Sequence, residues 1–168
     1  EGLGEGRAAA DHAAAMPKSA QRKRFGIYYT PPAFTDFLVR QTVGELLRER
    51  FADLARQHGF EPETSTAQQP AEKSAAYWRA CLAVLHDLKI CDPACGSGAF
   101  LIRAYDYLEE QYADVIDNLL ASGDRTAAPL ADQIPDLILA DNLFGVDLSP
   151  EAVEITQLAL WIRSARRE

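Results

Sequence analysis

The feature that most constrains this chain is the run Ile90-Cys91-Asp92-Pro93-Ala94-Cys95-Gly96-Ser97-Gly98-Ala99-Phe100-Leu101. It reads as a short apolar strand, a tight glycine-containing loop and the start of a helix. Gly96 and Gly98 lack a Cβ, so they can take positive φ and let a ligand lie directly on the backbone. The first N–H groups of the following helix have no intrahelical acceptor and favour a negative group. Asp92 stands at the carboxyl end of the strand, where open α/β sheets hold their ligands. Two common loops are excluded. A dinucleotide fingerprint needs a third glycine where Leu101 stands, and a P-loop needs a lysine where Ala99 stands. A loop with an acid at its start and no lysine suits a ligand carrying an amine and a carboxylate together.

The string from Asp92 to Leu101 resembles motif I of the S-adenosylmethionine-dependent DNA methyltransferases that methylate adenine at N6. The nearest likeness is to the methylases of type I and type IIG restriction–modification and related phage-defence systems. An ordinary glycine-rich turn between strand and helix is the bland alternative. The resemblance implies S-adenosyl-L-methionine as cofactor, with Asp92, Pro93, Ala94, Gly96 and Gly98 as its loop. Upstream, Gly26-Ile27-Tyr28-Tyr29-Thr30-Pro31-Pro32 resembles motif X of the same enzymes. By that match Tyr28, Tyr29 and Thr30 lie over the methionine part of the cofactor. Aromatic faces suit a sulfonium cation. Downstream, Gly145-Val146-Asp147-Leu148-Ser149-Pro150 resembles motif II. An acid at the end of a strand beside a nucleotide loop accepts from ribose hydroxyls. By the match Asp147 takes the ribose and Leu148 lies against the adenine ring. The plain alternative for Asp147 is an Asp in a turn before a helix.

The chain has 168 residues and is 48% hydrophobic, enough for one domain with a real core. Its net charge of −8 argues against this piece alone gripping a phosphate backbone. Cys81, Cys91 and Cys95 fit a reducing cytoplasm better than a disulfide framework. No second Cys or His pair follows Cys91 and Cys95, and His58 and His86 are lone histidines, so no metal site is expected. No apolar run is long enough to span a bilayer. Beginning at Glu1 and closing on a charged helix, the chain is expected to be an excised fragment.

Residues 1–20 are read as a mobile leader, and 21–168 as the N-terminal part of a methyltransferase catalytic domain. Arg22-Lys23-Arg24 is read as a solvated basic face. Thr30 is placed to cap a helix over 32–57, whose apolar positions Phe34, Phe37, Leu38, Val43, Leu46, Leu47, Phe51 and Leu54 recur at three to four. A polar connection over 58–72 leads to a helix over 72–88, with Tyr77, Trp78, Cys81, Leu82, Val84, Leu85 and Leu88 inward. A helix over 98–120 buries Leu101, Tyr105, Leu108, Tyr112, Val115, Ile116 and Leu119. A polar connection over 121–135 and a helical turn over 136–140 precede a second strand over 142–147. Ser149 caps the last helix, with Pro150 at its first position and Val153, Ile155, Leu158, Ala159, Trp161 and Ile162 inward.

The expected fold class is α/β: a helix-rich, partial Rossmann-like methyltransferase fold with two parallel strands and a crossover between them. An exposed strand edge would offer a site for self-association. The resemblance spans about residues 22–165 but only the cofactor half of the family's site. The family's motif IV, Asp/Asn/Ser-Pro-Pro-aromatic, accepts the amino hydrogens of a flipped base, and no such string occurs here. A target-recognition domain is missing as well. The fragment is therefore expected to carry no catalytic residue and no activity of its own. Double-stranded DNA, and a specificity or restriction subunit or domain, would be met by other parts of the parent. Two other readings stay open: a methyltransferase acting on RNA or a protein amide, and a non-catalytic helical interaction module.

Overall fold

The computed structural model describes residues 30–165. The leader, the Arg22-Lys23-Arg24 cluster, Tyr28 and Tyr29 lie outside the described residues. The first helical segment has three parts: α1 (Pro32–Val39), a π turn (Arg40–Gly44) and α2 (Glu45–His58). Next come a short 3-10 turn (Thr66–Gln68), α3 (Ala71–Asp87), β1 (Ile90–Asp92) and α4 (Ala99–Ala121). A 3-10 segment (Arg125–Gln133), α5 (Ile134–Leu137) and a second π turn (Ile138–Asn142) lead to β2 (Leu143–Gly145) and α6 (Pro150–Ala165). The two strands pair in parallel, with Ile90 opposite Leu143, Cys91 opposite Phe144 and Asp92 opposite Gly145. The pairing is prolonged past β2, where the Val146 N–H donates to the Asp92 carbonyl at 2.9 Å and the Cys95 N–H to the Val146 carbonyl at 2.9 Å.

α4 is the axis of the molecule. Leu101, Tyr105, Leu108, Tyr112, Val115, Ile116 and Leu119 recur on one face, and all are buried. Each fully buried leucine of this kind contributes roughly 1.5–3 kcal/mol. α3 supplies Tyr77, Cys81 and Leu85 to the same core. Tyr77 stacks on Phe60, with ring centroids 4.1 Å apart, so the polar connection after α2 is pinned to the core by an aromatic. Trp78 is only partly buried, and its indole N–H donates to Thr66 Oγ1 at 3.1 Å.

Several expectations need correction. Thr30 does not cap α1. Pro31 takes the N-cap position with extended backbone, and its carbonyl accepts from Phe34 and Thr35. Phe34 and Phe37 are more than half exposed, because α1 turns Thr35 and Val39 toward the core instead. The helix expected over 32–57 is interrupted by its π turn. There Thr42 Oγ1 donates back to the Leu38 carbonyl at 2.7 Å, and Gly44 lies under the Tyr107 hydroxyl. The connection over 121–135 is largely helical, started by Asp124, which accepts from the Thr126 N–H. The second strand is only three residues long. Asn142 belongs to the π turn before it, because its buried amide donates to the Leu85 and Leu88 carbonyls, both at 2.8 Å. On α6, Ile155, Leu158, Trp161 and Ile162 are exposed rather than inward, at 54%, 55%, 65% and 41%. α6 rests on the body along one narrow line through Thr156 and Leu160, so most of its apolar residues stay outside.

Candidate cofactor site

The loop between β1 and α4 is held by its own chain. The Ala94 N–H donates to Asp92 Oδ1 at 3.1 Å, closing a turn around the acid at the strand end. The Gly98 N–H donates to the Cys95 carbonyl at 2.8 Å. The Gly96 N–H donates to Asp147 Oδ2 at 2.8 Å, and the other Asp147 oxygen accepts from the Ser149 N–H at 2.8 Å. Parallel pairing therefore brings Asp92, the glycine loop and Asp147 to one end of the strand pair. Ser149 caps α6 as its sequence implies: its hydroxyl accepts from the Ala152 N–H at 3.3 Å and donates to Glu151 at 2.7 Å.

Gly96 and Gly98 have φ of +53° and +83°, a region that side chains disfavour. Their surroundings differ. A Cβ on Gly96 would meet nothing within 4 Å, whereas one on Gly98 would lie 2.9 Å from Thr156 Cγ2. Gly98 is the N-cap of α4 and has no side chain to satisfy the first-turn N–H groups. The loop thus offers an open backbone surface at Gly96 beside an uncapped helix start, the setting that suits an anionic group.

The electrostatics follow from these bonds. The Ser149 and Gly96 N–H groups hold the Asp147 carboxyl below the usual carboxylate range, so it is ionised at neutral pH. The Ser149 hydroxyl holds Glu151 down in the same way. Burial pushes the Cys95 thiol up, opposed in part by the neighbouring Thr156 side chain. An apolar cavity of about 290 Å³ opens beside β1, lined by Val39, Val43, Ile90, Asp92, Pro93 and Phe100 among others. Leu148 is fully exposed at the end of β2. Thr30 lies one residue before the N-cap of α1 and is half-buried.

Sequence reasoning missed two residues of this region. Thr156 is buried beneath the loop and donates to the Gly96 carbonyl at 2.9 Å. Gly145 lies against α4, where a Cβ would meet Leu101 Cδ1 at 2.8 Å. No local pattern announces either, since both depend on partners more than forty residues away. Among the described residues, no group of three His, Cys, Asp or Glu is placed to hold a metal ion, and no helix is long and apolar enough to cross a membrane.

The glycine loop and the strand-end acid thus stand together at one end of the parallel strands, and comparison with known proteins shows which family the chain belongs to. The MmeI, DNA-methyltransferase domain family matches residues 67–168, which include Asp92, the loop and Asp147. The chain belongs to this family and carries a methyltransferase domain of the restriction–modification type. It is 30% identical over 148 residues to a protein of Methanocaldococcus jannaschii that bears the provisional name type II restriction enzyme and methyltransferase. That match takes in 84% of this chain and 12% of the relative. It is likewise 30% identical over 134 residues to the adenine-specific methyltransferase BrxX of Escherichia coli O9:H4, covering 79% of this chain and 10% of BrxX. The chain thus spans about a tenth of the length of these curated relatives.

Proposed function

We propose that residues 21–168 are the cofactor-binding part of an S-adenosylmethionine-dependent methyltransferase that methylates adenine at N6 in double-stranded DNA, in a restriction–modification or phage-defence system. The observation that carries this reading is the meeting of Asp92, the Gly96–Gly98 loop and Asp147 at one end of a parallel strand pair, with open space beside Gly96. The paired strands are read as the beginning of a Rossmann-like sheet.

The residues present fit the cofactor. Asp147 is ionised, and two N–H bonds leave acceptor sites on its carboxylate for a pair of ribose hydroxyls. The uncapped start of α4 suits a carboxylate, and Asp92, beside Pro93 and Ala94, suits an ammonium. Leu148 offers an apolar surface to an adenine ring. Tyr28, Tyr29 and Thr30 are assigned the sulfonium end on the strength of the motif alone. When bound, S-adenosyl-L-methionine supplies a methyl group activated by its sulfonium. The residues of this chain bind and orient. None is assigned a proton or the acceptor amine, and the amine's acceptors are assigned to a motif this sequence does not contain. With a net charge of −8, the chain is assigned no grip on DNA by itself.

Calorimetric titration with S-adenosylhomocysteine, run beside Asp147→Ala, tests this reading. Saturable binding is expected, weakened roughly ten- to a hundredfold by the substitution, the worth of hydrogen bonds to a charged group. No binding to a chain whose circular dichroism shows it folded would overturn it. Methyl transfer to DNA by this chain alone would overturn the assignment of catalysis to other parts.

A further inference from the structure

We propose that Thr156, on α6, is the positioning residue that fixes the Gly96–Gly98 loop in its binding conformation. The inference deepens the cofactor reading above and rests on it. Thr156 is 4% exposed on a helix whose other large residues mostly face outward, so it is the most deeply buried residue that α6 brings to the loop. Its hydroxyl donates to the Gly96 carbonyl at 2.9 Å, sixty residues away in sequence. Its methyl lies 2.9 Å from the position a Gly98 Cβ would take, so the same side chain packs flat beneath the second glycine.

The effect on Gly96 is two-sided. Its N–H is held by Asp147 from the end of β2, and its C=O by Thr156 from α6. A glycine has the widest backbone freedom of any residue, and here both of its peptide groups are tied. α6 is itself seated on α4, where the Arg163 guanidinium donates to Asp106 at 2.5 Å and to Glu109 at 3.1 Å. The loop is therefore ordered before any ligand arrives, which lowers the ordering cost of binding. Asp147 does two jobs in this arrangement, but Thr156 touches only the loop's underside and is a positioning residue.

The test uses the whole chain and three forms: unsubstituted, Thr156→Val and Thr156→Ser. Valine keeps the methyl beneath Gly98 and removes the donor; serine keeps the donor and removes the methyl. Amide hydrogen exchange by NMR, without ligand, reads the loop directly. The Gly96 and Gly98 amides should exchange about tenfold faster in Thr156→Val, the worth of one hydrogen bond, and stay protected in Thr156→Ser. Affinity for S-adenosylhomocysteine should fall about tenfold in the valine form and be largely kept in the serine form. Unchanged loop exchange in Thr156→Val overturns the proposal, as does faster exchange with unchanged affinity. If the unsubstituted chain takes up no S-adenosylhomocysteine, the cofactor reading fails, and loop exchange alone decides whether Thr156 holds the loop. If valine impairs folding, the serine form decides: loss of loop protection there counts against the hydroxyl as the tie.

Discussion

The two loop glycines do different work. Gly96 has φ +53° with open space around it, while Gly98 has φ +83° with Thr156 pressed against it. Gly96→Ala should cost only the left-handed backbone term, about 1 kcal/mol, yet narrow the surface on which a ligand lies. Gly98→Ala adds a contact at 2.9 Å and should cost about 2–4 kcal/mol. Urea denaturation separates the two, and titration with S-adenosylhomocysteine should show Gly96→Ala losing affinity out of proportion to its stability. The thiols divide in the same way. Burial pushes Cys81 up to about 12, against the opposing hydrogen bond with Tyr77, while Cys91 is exposed on β1. Peptide mapping after iodoacetamide at neutral pH should find Cys91 modified in the folded chain and Cys81 only after denaturation. Gly96 and Gly98 were legible in the sequence because glycine spacing states a backbone requirement locally. Thr156 was not, because nothing in Glu154-Ile155-Thr156-Gln157 states that a hydroxyl there meets a carbonyl sixty residues earlier.

At the scale of elements, periodicity gave α4 almost residue by residue, since a helix packed on several sides must repeat its apolar positions. It misjudged α1 and α6, whose apolar residues run round the helix and so do not name an inward face. It also misjudged the approach to β2, where a polar residue decides. Asn142 is fully buried; it donates to the Leu85 and Leu88 carbonyls at the end of α3 and accepts from the Tyr112 hydroxyl on α4 at 3.1 Å. One amide thus locks α3, α4 and the start of β2 together, and hydrogen bonding to it sets the register in which β2 meets β1. Tyr112→Phe removes one of these bonds and should cost about 1 kcal/mol. Asn142→Leu leaves the Leu88 carbonyl and the Tyr112 hydroxyl without this partner in the core, while the Leu85 carbonyl keeps the Leu88 N–H, and should cost about 2–4 kcal/mol. Urea midpoints of the two variants check the order. Equal losses would mean that the amide's bonds to α3 carry no weight.

The whole molecule is acidic, and its response to pH follows from where its carboxylates sit. Among the described residues, half of the ion pairs join neighbours on one helix, and the exposed ones, such as Arg48 with Glu45 and Arg56 with Asp53, contribute little. Among the described residues, three carboxylates stand apart because hydrogen bonds hold them below the usual range in the fold. Asp124 is held by the Thr126 hydroxyl and by Arg79, which it meets at 2.7 Å across 45 residues. Asp147 is held by the Ser149 and Gly96 N–H groups, and Glu151 by the Ser149 hydroxyl. A carboxyl depressed in the fold is ionised there while its unfolded counterpart is already taking up protons. The unfolded chain therefore binds more protons below about pH 4, and stability rises with pH through that window. The contribution is fully present above the unfolded values near 4 and is lost as pH falls through the folded ones. Loss of negative charge on acidification acts the other way, relieving self-repulsion in a chain of net charge −8. That relief is long-range and screened by salt, whereas the hydrogen-bonded carboxylates are not. At moderate ionic strength the urea midpoint should be nearly level from about pH 8 to 5 and fall steeply below about pH 4. Asp124→Asn, which keeps the shape but cannot ionise, should lower the plateau and flatten the fall. A fall of undiminished steepness in that variant would assign the acid transition to Asp147 and Glu151, and so to the loop end of the strand pair.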